Sequence, residues 1–136
     1  MPGPGSYLIG EEEKQALLEV IESGWLYRYA EPMATSFTAR VLKLEEEFAR
    51  YHGVERSVAV NSGTAALFVG MAALGIGPGD EVIVPGYTFI ASIGSIVYSR
   101  AIPVLAEIDE SLTLDPADVR RKITPRTRAI MLVHML

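Results

Sequence analysis

The chain has no cysteine and only two histidines, His52 and His134, among 136 residues. Without thiols there is no disulfide framework, no thiolate nucleophile and no cysteine-ligated zinc. Two imidazoles are too few for a histidine-rich centre, so no metal site is expected. A surplus of basic charge is missing as well. Twelve Lys and Arg stand against seventeen Asp and Glu, a formal net charge of -5, which argues against a nucleic-acid partner or an anionic membrane surface. The Pro- and Gly-rich start, Met1 to Ser6, has no basic segment followed by an apolar one, so no secretory signal is read there. A cytoplasmic location is expected.

Charge is also missing from the middle. Sixteen charged residues precede Asn61, eleven lie at or beyond Arg100, and only Asp80 and Glu81 fall between. Two uncharged runs, Asn61 to Gly79 and Val82 to Ser99, are long enough to span a bilayer. Gly75, Gly77, Pro78 and Gly79 break the first, Pro85-Gly86 breaks the second, and no basic residues flank the inner ends. Burial beneath other elements of a soluble fold is the better account.

What is present reads as alternating elements. Glu11 to Ser23 has the acidic first turn of a helix and is stopped by Gly24. Phe37, Val41, Leu44 and Phe48 form one apolar stripe of a second helix that ends by Gly53. An aromatic-rich loop, Trp25 to Thr35, separates the two. Short strands are expected at Ser57–Val60, Glu81–Val84, Ile102–Ala106 and Arg128–Val133. Helices are expected at Ser62–Leu74, at Thr88–Ser99 and from Pro116 to about Ile123. Asp115 should cap the last of these, with Asp118 in the box position. Alternating strands and helices mean an α/β fold with a mostly parallel sheet, flanking helices and right-handed crossovers. The division expected is residues 1–53, a helical segment with the aromatic loop, and residues 54–136, the sheet-forming part. Parallel strands are normally covered on both faces, so an apolar strand that ends within three residues of Leu136 suggests the N-terminal part of a larger, incompletely represented domain.

In an open parallel sheet, ligands bind beyond the carboxyl ends of the strands. Four segments reach that rim: Asn61-Ser62-Gly63-Thr64, Gly86-Tyr87-Thr88-Phe89, Glu107-Ile108-Asp109, and His134. The first joins a strand to a helix through small residues. Free N–H groups there, with the Ser62 and Thr64 hydroxyls, suit a phosphate. Alternatively, Ser62 only caps the helix and Gly63 only permits close packing. The second segment brings Tyr87 and Phe89 to the same rim, where an aromatic face beside a phosphate cradle suits a flat phosphorylated ring; Tyr87 reads equally as a core aromatic. His134 is either a structural histidine or a reacting one. Gly75 to Gly79 follows a helix and precedes a strand, the wrong polarity for a dinucleotide fingerprint, and no Walker lysine follows Gly63. A nicotinamide-type domain is disfavoured accordingly. The runs Glu11–Glu13 and Glu45–Glu47 read as solvated helix faces, and Arg120, Arg121, Lys122, Arg126 and Arg128 as surface pairing partners.

Three stretches together carry a resemblance: Asn61-Ser62-Gly63-Thr64-Ala65-Ala66-Leu67, Gly75-Ile76-Gly77-Pro78-Gly79-Asp80-Glu81-Val82-Ile83 and Val84-Pro85-Gly86-Tyr87-Thr88-Phe89. Ser23-Gly24-Trp25, Ile123-Thr124-Pro125-Arg126-Thr127 and Val133-His134 fit the same pattern. Over nearly its whole length the chain resembles the N-terminal part of the DegT/DnrJ/StrS-type sugar or cyclitol aminotransferases. The resemblance implies the first part of an aspartate-aminotransferase-like (fold type I) large domain and the cofactor pyridoxal 5′-phosphate (PLP). It also implies transfer of an amino group from glutamate or glutamine to a nucleotide-linked keto sugar or a keto-cyclitol, in a homodimer. Residue by residue, it implies cofactor-binding roles for Ser62, Gly63 and Thr64 at the phosphate and for Phe89 on the ring, with Trp25 and Tyr87 in the substrate region. The sequence departs from the family at Leu132, where Pro is usual, and at Gly86, where a slightly larger residue is common.

The resemblance further implies a Schiff-base lysine and an aspartate for the ring nitrogen, both later in the family's sequence than Leu136. Lys14, Lys43 and Lys122 sit on expected helices away from the rim, so no catalytic residue is assigned, and these residues alone are expected to be inactive. A lone phosphate-ligand-binding or partner module derived from the family is the alternative. The resemblance also puts Ser57–Val60 at the far edge of the sheet, away from any ladder partner, and the 81–84 strand between the other two. The isolated chain is therefore expected to be only marginally stable.

Overall fold

The computed structural model describes Gly3, residues 5–28 and residues 39–135. Phe37 and positions 29–35 of the expected aromatic loop lie outside the described residues. The chain divides between Ala59 and Val60 into two units.

The first unit carries a short 3-10 turn, Ser6–Leu8, and two helices, α1 (Glu11–Ser23) and α2 (Arg40–His52). Gly24 and Gly53 close these helices with positive φ, a conformation glycine adopts without a Cβ penalty. The helical periods were legible, but the face that α2 buries is not its apolar stripe. Val41, Leu44 and Phe48 are exposed, whereas Glu45 and Ala49 are buried. Glu45, 4% exposed, corrects the reading of Glu45–Glu47 as a uniformly solvated face. The Arg28 guanidinium pairs with its carboxylate at 2.5 Å, and the Ala59 N–H donates to the same carboxylate at 2.7 Å. Ser57 Oγ donates to the Glu45 carbonyl at 2.7 Å. Arg28 and the Ala59 amide hold this carboxyl below its ordinary range against the opposing cost of burial.

Those tethers also account for residues 57–60, which are not a strand here. A strand is defined by a ladder, and this segment is bonded to a helix side chain instead.

The second unit is a three-stranded parallel sheet with helices on both faces. Its elements are α3 (Gly63–Ala73), β1 (Glu81–Pro85), α4 (Ile90–Tyr98), β2 (Ile102–Ala106), α5 (Pro116–Lys122) and β3 (Thr127–Ile130). The strand order is β2-β1-β3, with both pairings parallel. All five β1 residues are buried, as expected for a central parallel strand. Successive β1 side chains face opposite ways. Val82 and Val84 join Met71 of α3 and Ile96 of α4 in one cluster, while Ile83 joins Ala106, Leu114 and Val119 in the other. Each fully buried aliphatic side chain of this kind contributes about 1.5–3 kcal/mol. Phe68 of α3 and Tyr98 of α4 stack with ring centroids 4.6 Å apart.

The third strand is shorter than the apolar run Arg128–Val133. Its register runs from Glu81↔Thr127 to Ile83↔Ile130, with an irregularity around Arg128. Met131 N–H still donates to Ile83 O at 2.7 Å. A continued parallel ladder would next need an N–H at position 85, and Pro85 has none. Pairing stops there, and residues 131–134 leave the sheet.

Two charged tethers fix the far ends of the strands. Glu81, at the start of β1, accepts Arg126 at 2.5 Å and the Thr124 hydroxyl at 2.5 Å. Asp115 caps α5 as expected, accepting from Ala117 N–H. Asp118 does not close a capping box on it, because Asp115 N–H is taken by the Glu107 carbonyl. The Asp118 carboxylate instead accepts Glu107 N–H at 2.7 Å and pairs with Arg121 and Lys122. With Arg128 on Asp80, four of the five clustered basic residues do serve as surface pairing partners.

Replacing Glu45 by Gln or Ala should accelerate amide exchange at Ala59 and lower the unfolding midpoint, while Glu46→Gln and Glu47→Gln stay within about 0.5 kcal/mol of the parent. Equal midpoints for all of these variants would contradict the tether.

Asp118 generates a second prediction. Its carboxyl is lowered from 3.8 to about 2, first by the Glu107 N–H and then by Lys122 and Arg121. A depressed folded-state value stabilises the fold above pH 3.8, and the contribution is lost as pH falls toward about 2. Asp118→Asn should therefore flatten the acid limb of melting temperature against pH. An acid limb as steep as the parent's would contradict this.

Candidate functional site

The strand order reverses at β1: the chain moves from β1 to β2 on one side, then crosses to β3 on the other. The crossing helices lie on opposite faces, α4 with the first cluster and α5 with the second. Between β1 and β3 the connections diverge, and in open α/β sheets that switch point leaves a crevice beyond the carboxyl ends of the strands. A cavity of about 620 Å³ is found there. One wall is Gly63, Thr64 and Leu67 at the entrance of α3. A second is Phe89, Ala91 and Ser92 after β1, and the third is the unpaired segment Met131 to His134 after β3.

The α3 entrance forms because Ser62 is an N-cap in extended conformation whose Oγ accepts from Ala65 N–H at 3.1 Å. Ala66 N–H reaches Ser62 O. The next two donors outward, Gly63 N–H and Thr64 N–H, are the first two of the helix, which have no intrahelical acceptor. They carry the partial positive charge of the helix end. Gly63 is a glycine that the fold does not require. Its φ is not in the left-handed region, and a Cβ there would meet no atom within 4 Å. A methyl group would occupy open space at the helix entrance.

The second wall is set by the turn after Pro85. Gly86 N–H donates to Ala106 O at 2.9 Å, which ties the turn to β2. A Cβ on Gly86 would lie 3.6 Å from that carbonyl, an ordinary contact, so the slightly larger residue common in the family would fit there. The helix starts at Ile90 rather than Thr88, with Phe89 as its N-cap.

Of the residues singled out in the sequence, Gly63, Thr64 and Phe89 line one cavity, and His134 joins them. Ser62 is beside it, with its hydroxyl committed to the cap. Tyr87 is half exposed on the same loop and is not among the lining residues. Trp25 belongs to the first unit, where its N–H donates to Ser23 Oγ. Ser92 was missed: only its spacing to Thr88, one helical turn, could have indicated that the two hydroxyls meet. Among the described residues no cluster suited to a metal ion exists and no helix is long and apolar enough to cross a membrane.

The lining residues contain no lysine and no carboxylate. Lys14 pairs with Glu11 and Lys122 with Asp118, and Lys43 lies on α2. The arrangement can bind an anion at the α3 entrance and an apolar or aromatic surface against Phe89; it presents no nucleophile beyond hydroxyls and one imidazole.

Residues 8–136 match the model of the DegT/DnrJ/EryC1/StrS aminotransferase family. The spore coat polysaccharide biosynthesis protein SpsC of Bacillus subtilis is 46% identical over 128 residues, covering 93% of this chain and 31% of its own length. The L-glutamine:2-deoxy-scyllo-inosose aminotransferase of Micromonospora echinospora is 40% identical over 136 residues, covering 98% of this chain and 30% of its own. Among solved structures, 3-amino-5-hydroxybenzoic acid synthase superposes with a TM-score of 0.81 at 38% identity, covering 93% of this chain and 32% of its own. Other similar structures are PLP and pyridoxamine phosphate forms. The chain thus spans about 30% of the length of the curated relatives it matches. Its α/β fold and its motifs agree with theirs, and the chain belongs to the DegT/DnrJ/EryC1/StrS aminotransferase family.

Proposed function

We propose that the switch-point cavity is the phosphate- and ring-binding part of a PLP site. The observation that carries this is the meeting, in one cavity, of the free N–H pair at Gly63–Thr64 and the exposed ring of Phe89. The fit is supported by the room at Gly63, where a Cβ would meet nothing. Gly63 and Thr64 would hold the phosphate through backbone N–H groups, with the Thr64 hydroxyl as a further donor and Ser62 keeping the helix end open. Phe89 would lie against the pyridine ring, a contact worth about 0.5–1.5 kcal/mol beyond area burial. When bound, the cofactor supplies an electron sink for transamination. Trp25 and Tyr87 are proposed for the substrate region.

For the whole protein we extend this to the family's activity: transfer of an amino group from glutamate or glutamine to a nucleotide-linked keto sugar or a keto-cyclitol, by a cytoplasmic homodimer. Neither nucleic acid nor membrane is proposed as a partner, in keeping with the net charge of -5. A second reading, a non-catalytic phosphate-ligand or partner module, is favoured by one observation, the lack of lysine and carboxylate among the lining residues. The two readings agree that these 136 residues alone bind without turnover.

Titration of the chain with PLP and with inorganic phosphate tests the proposal. Gly63→Ala keeps the N–H but puts a methyl group where the phosphate would sit, and should weaken both by about tenfold, in the range that one extra methyl group costs a packed site, without lowering the melting temperature. Borohydride treatment at low PLP should leave no stoichiometric adduct on Lys14, Lys43 or Lys122. Unchanged affinities in the Gly63 variant would remove the phosphate assignment, and a stoichiometric lysine adduct would remove the claim of binding without chemistry.

A further inference from the structure

Phe89 occupies a position that does not suit it. It is the N-cap of α4, where Ser, Thr, Asp or Asn normally accept a free helix N–H, and no side-chain cap bond is made there. Its ring is 68% exposed, so burial does not reward it either. What holds the segment is a pair of hydroxyls flanking it. Thr88 Oγ1 and Ser92 Oγ are 2.8 Å apart, and Ser92 N–H donates to Phe89 O at 3.0 Å. These two bonds close residues 88–92 into a small ring with Phe89 inside it. Ser92 is itself 5% exposed and lines the cavity beside Phe89, so one end of the pair is anchored in the protein rather than in solvent. The backbone at Phe89 is fixed at φ -68 and ψ 141, and backbone angles restrict which rotamers an aromatic side chain can adopt.

We propose that Thr88 and Ser92 are positioning residues for Phe89: their hydroxyl pair bridges the turn on either side of it and sets the direction in which the ring enters the cavity. The ligand side of this proposal rests on the PLP reading above, because only a flat ring against Phe89 would sense the ring's orientation. The phosphate cradle lies on a different helix entrance and is independent of the pair.

The test uses the full chain labelled with 4-fluorophenylalanine at its four Phe positions, with the Phe89 signal assigned through Phe89→Leu. The parent and Ser92→Thr, which keeps the hydroxyl, should give one sharp Phe89 line at the same shift. In Ser92→Ala and Thr88→Val that line should broaden and move toward the free amino acid while the other three hold, which also verifies folding. Thr88→Ser should restore it. PLP affinity should fall about 3- to 10-fold in Ser92→Ala, the range a stacking contact is worth, with inorganic phosphate unaffected. Ser92→Ala should add nothing in a Phe89→Leu background. An unmoved Phe89 line in both hydroxyl-deletion variants would overturn the proposal. So would equal weakening of phosphate, or a Ser92→Ala effect that persists without Phe89. Should the parent bind neither PLP nor phosphate, the cofactor reading falls, while the fluorine signal still decides the positioning role.

Discussion

A proline at the end of the central strand has no N–H to give, and the second unit is organised around that lack. Past the irregularity at Arg128 the β1–β3 ladder runs to Ile83, and Met131 N–H makes its last bond. The next donor would be the amide of Pro85, which has no N–H, and the β1–β3 pairing ends at that point. Residues 131–134 line one wall of the cavity. On the other side of β1 the pairing continues through Pro85↔Ala106 and the Gly86 amide, so the turn bearing Phe89 stays anchored to β2. One missing hydrogen-bond donor thus separates a paired edge from an open one, and the opening coincides with the reversal of strand order.

The sequence made the second unit legible because its constraints are local and repeated. The apolar run Val82–Pro85 between glycine-bearing turns marks β1, the run Ala101–Ala106 between Arg100 and Glu107 marks β2, and Asp115-Pro116 marks the start of α5. The helix entrance at Gly63–Thr64 was visible as small residues between apolar runs, and the family motifs linked it to Phe89. The end of β3 was misread because an apolar run says nothing about whether the neighbouring strand still has donors. Residues 57–60 form no strand because β propensity does not supply a ladder partner, and the resemblance had already put them away from one. Composition alone does not separate Tyr87 from Phe89; the resemblance gave them different roles, and Phe89 lines the cavity while Tyr87 does not.

Charged groups proved the least readable. Glu45, Glu46 and Glu47 are three identical residues in a row, yet one is buried against Arg28 and the Ala59 amide while the others face solvent. Helix rotation alone decides which, and the apolar stripe pointed to the wrong face. Asp118 sat where a capping box would use it, but a carboxylate goes to the strongest unmet donors within reach. Those were the Glu107 amide and the cations one turn away. Both are tertiary tethers built from residues that composition marks as surface.

The room at Gly63 separates two properties that usually vary together. Most substitutions that harm a protein do so by unfolding it, so abundance tracks function across a mutational library. At Gly63 the backbone is unstrained and the neighbouring space is empty, and almost any residue is a better helix former than glycine. Ranking such a library by the amount of folded protein would score this position as freely replaceable, or even improvable. A screen of that kind would be blind to the contact proposed at Gly63.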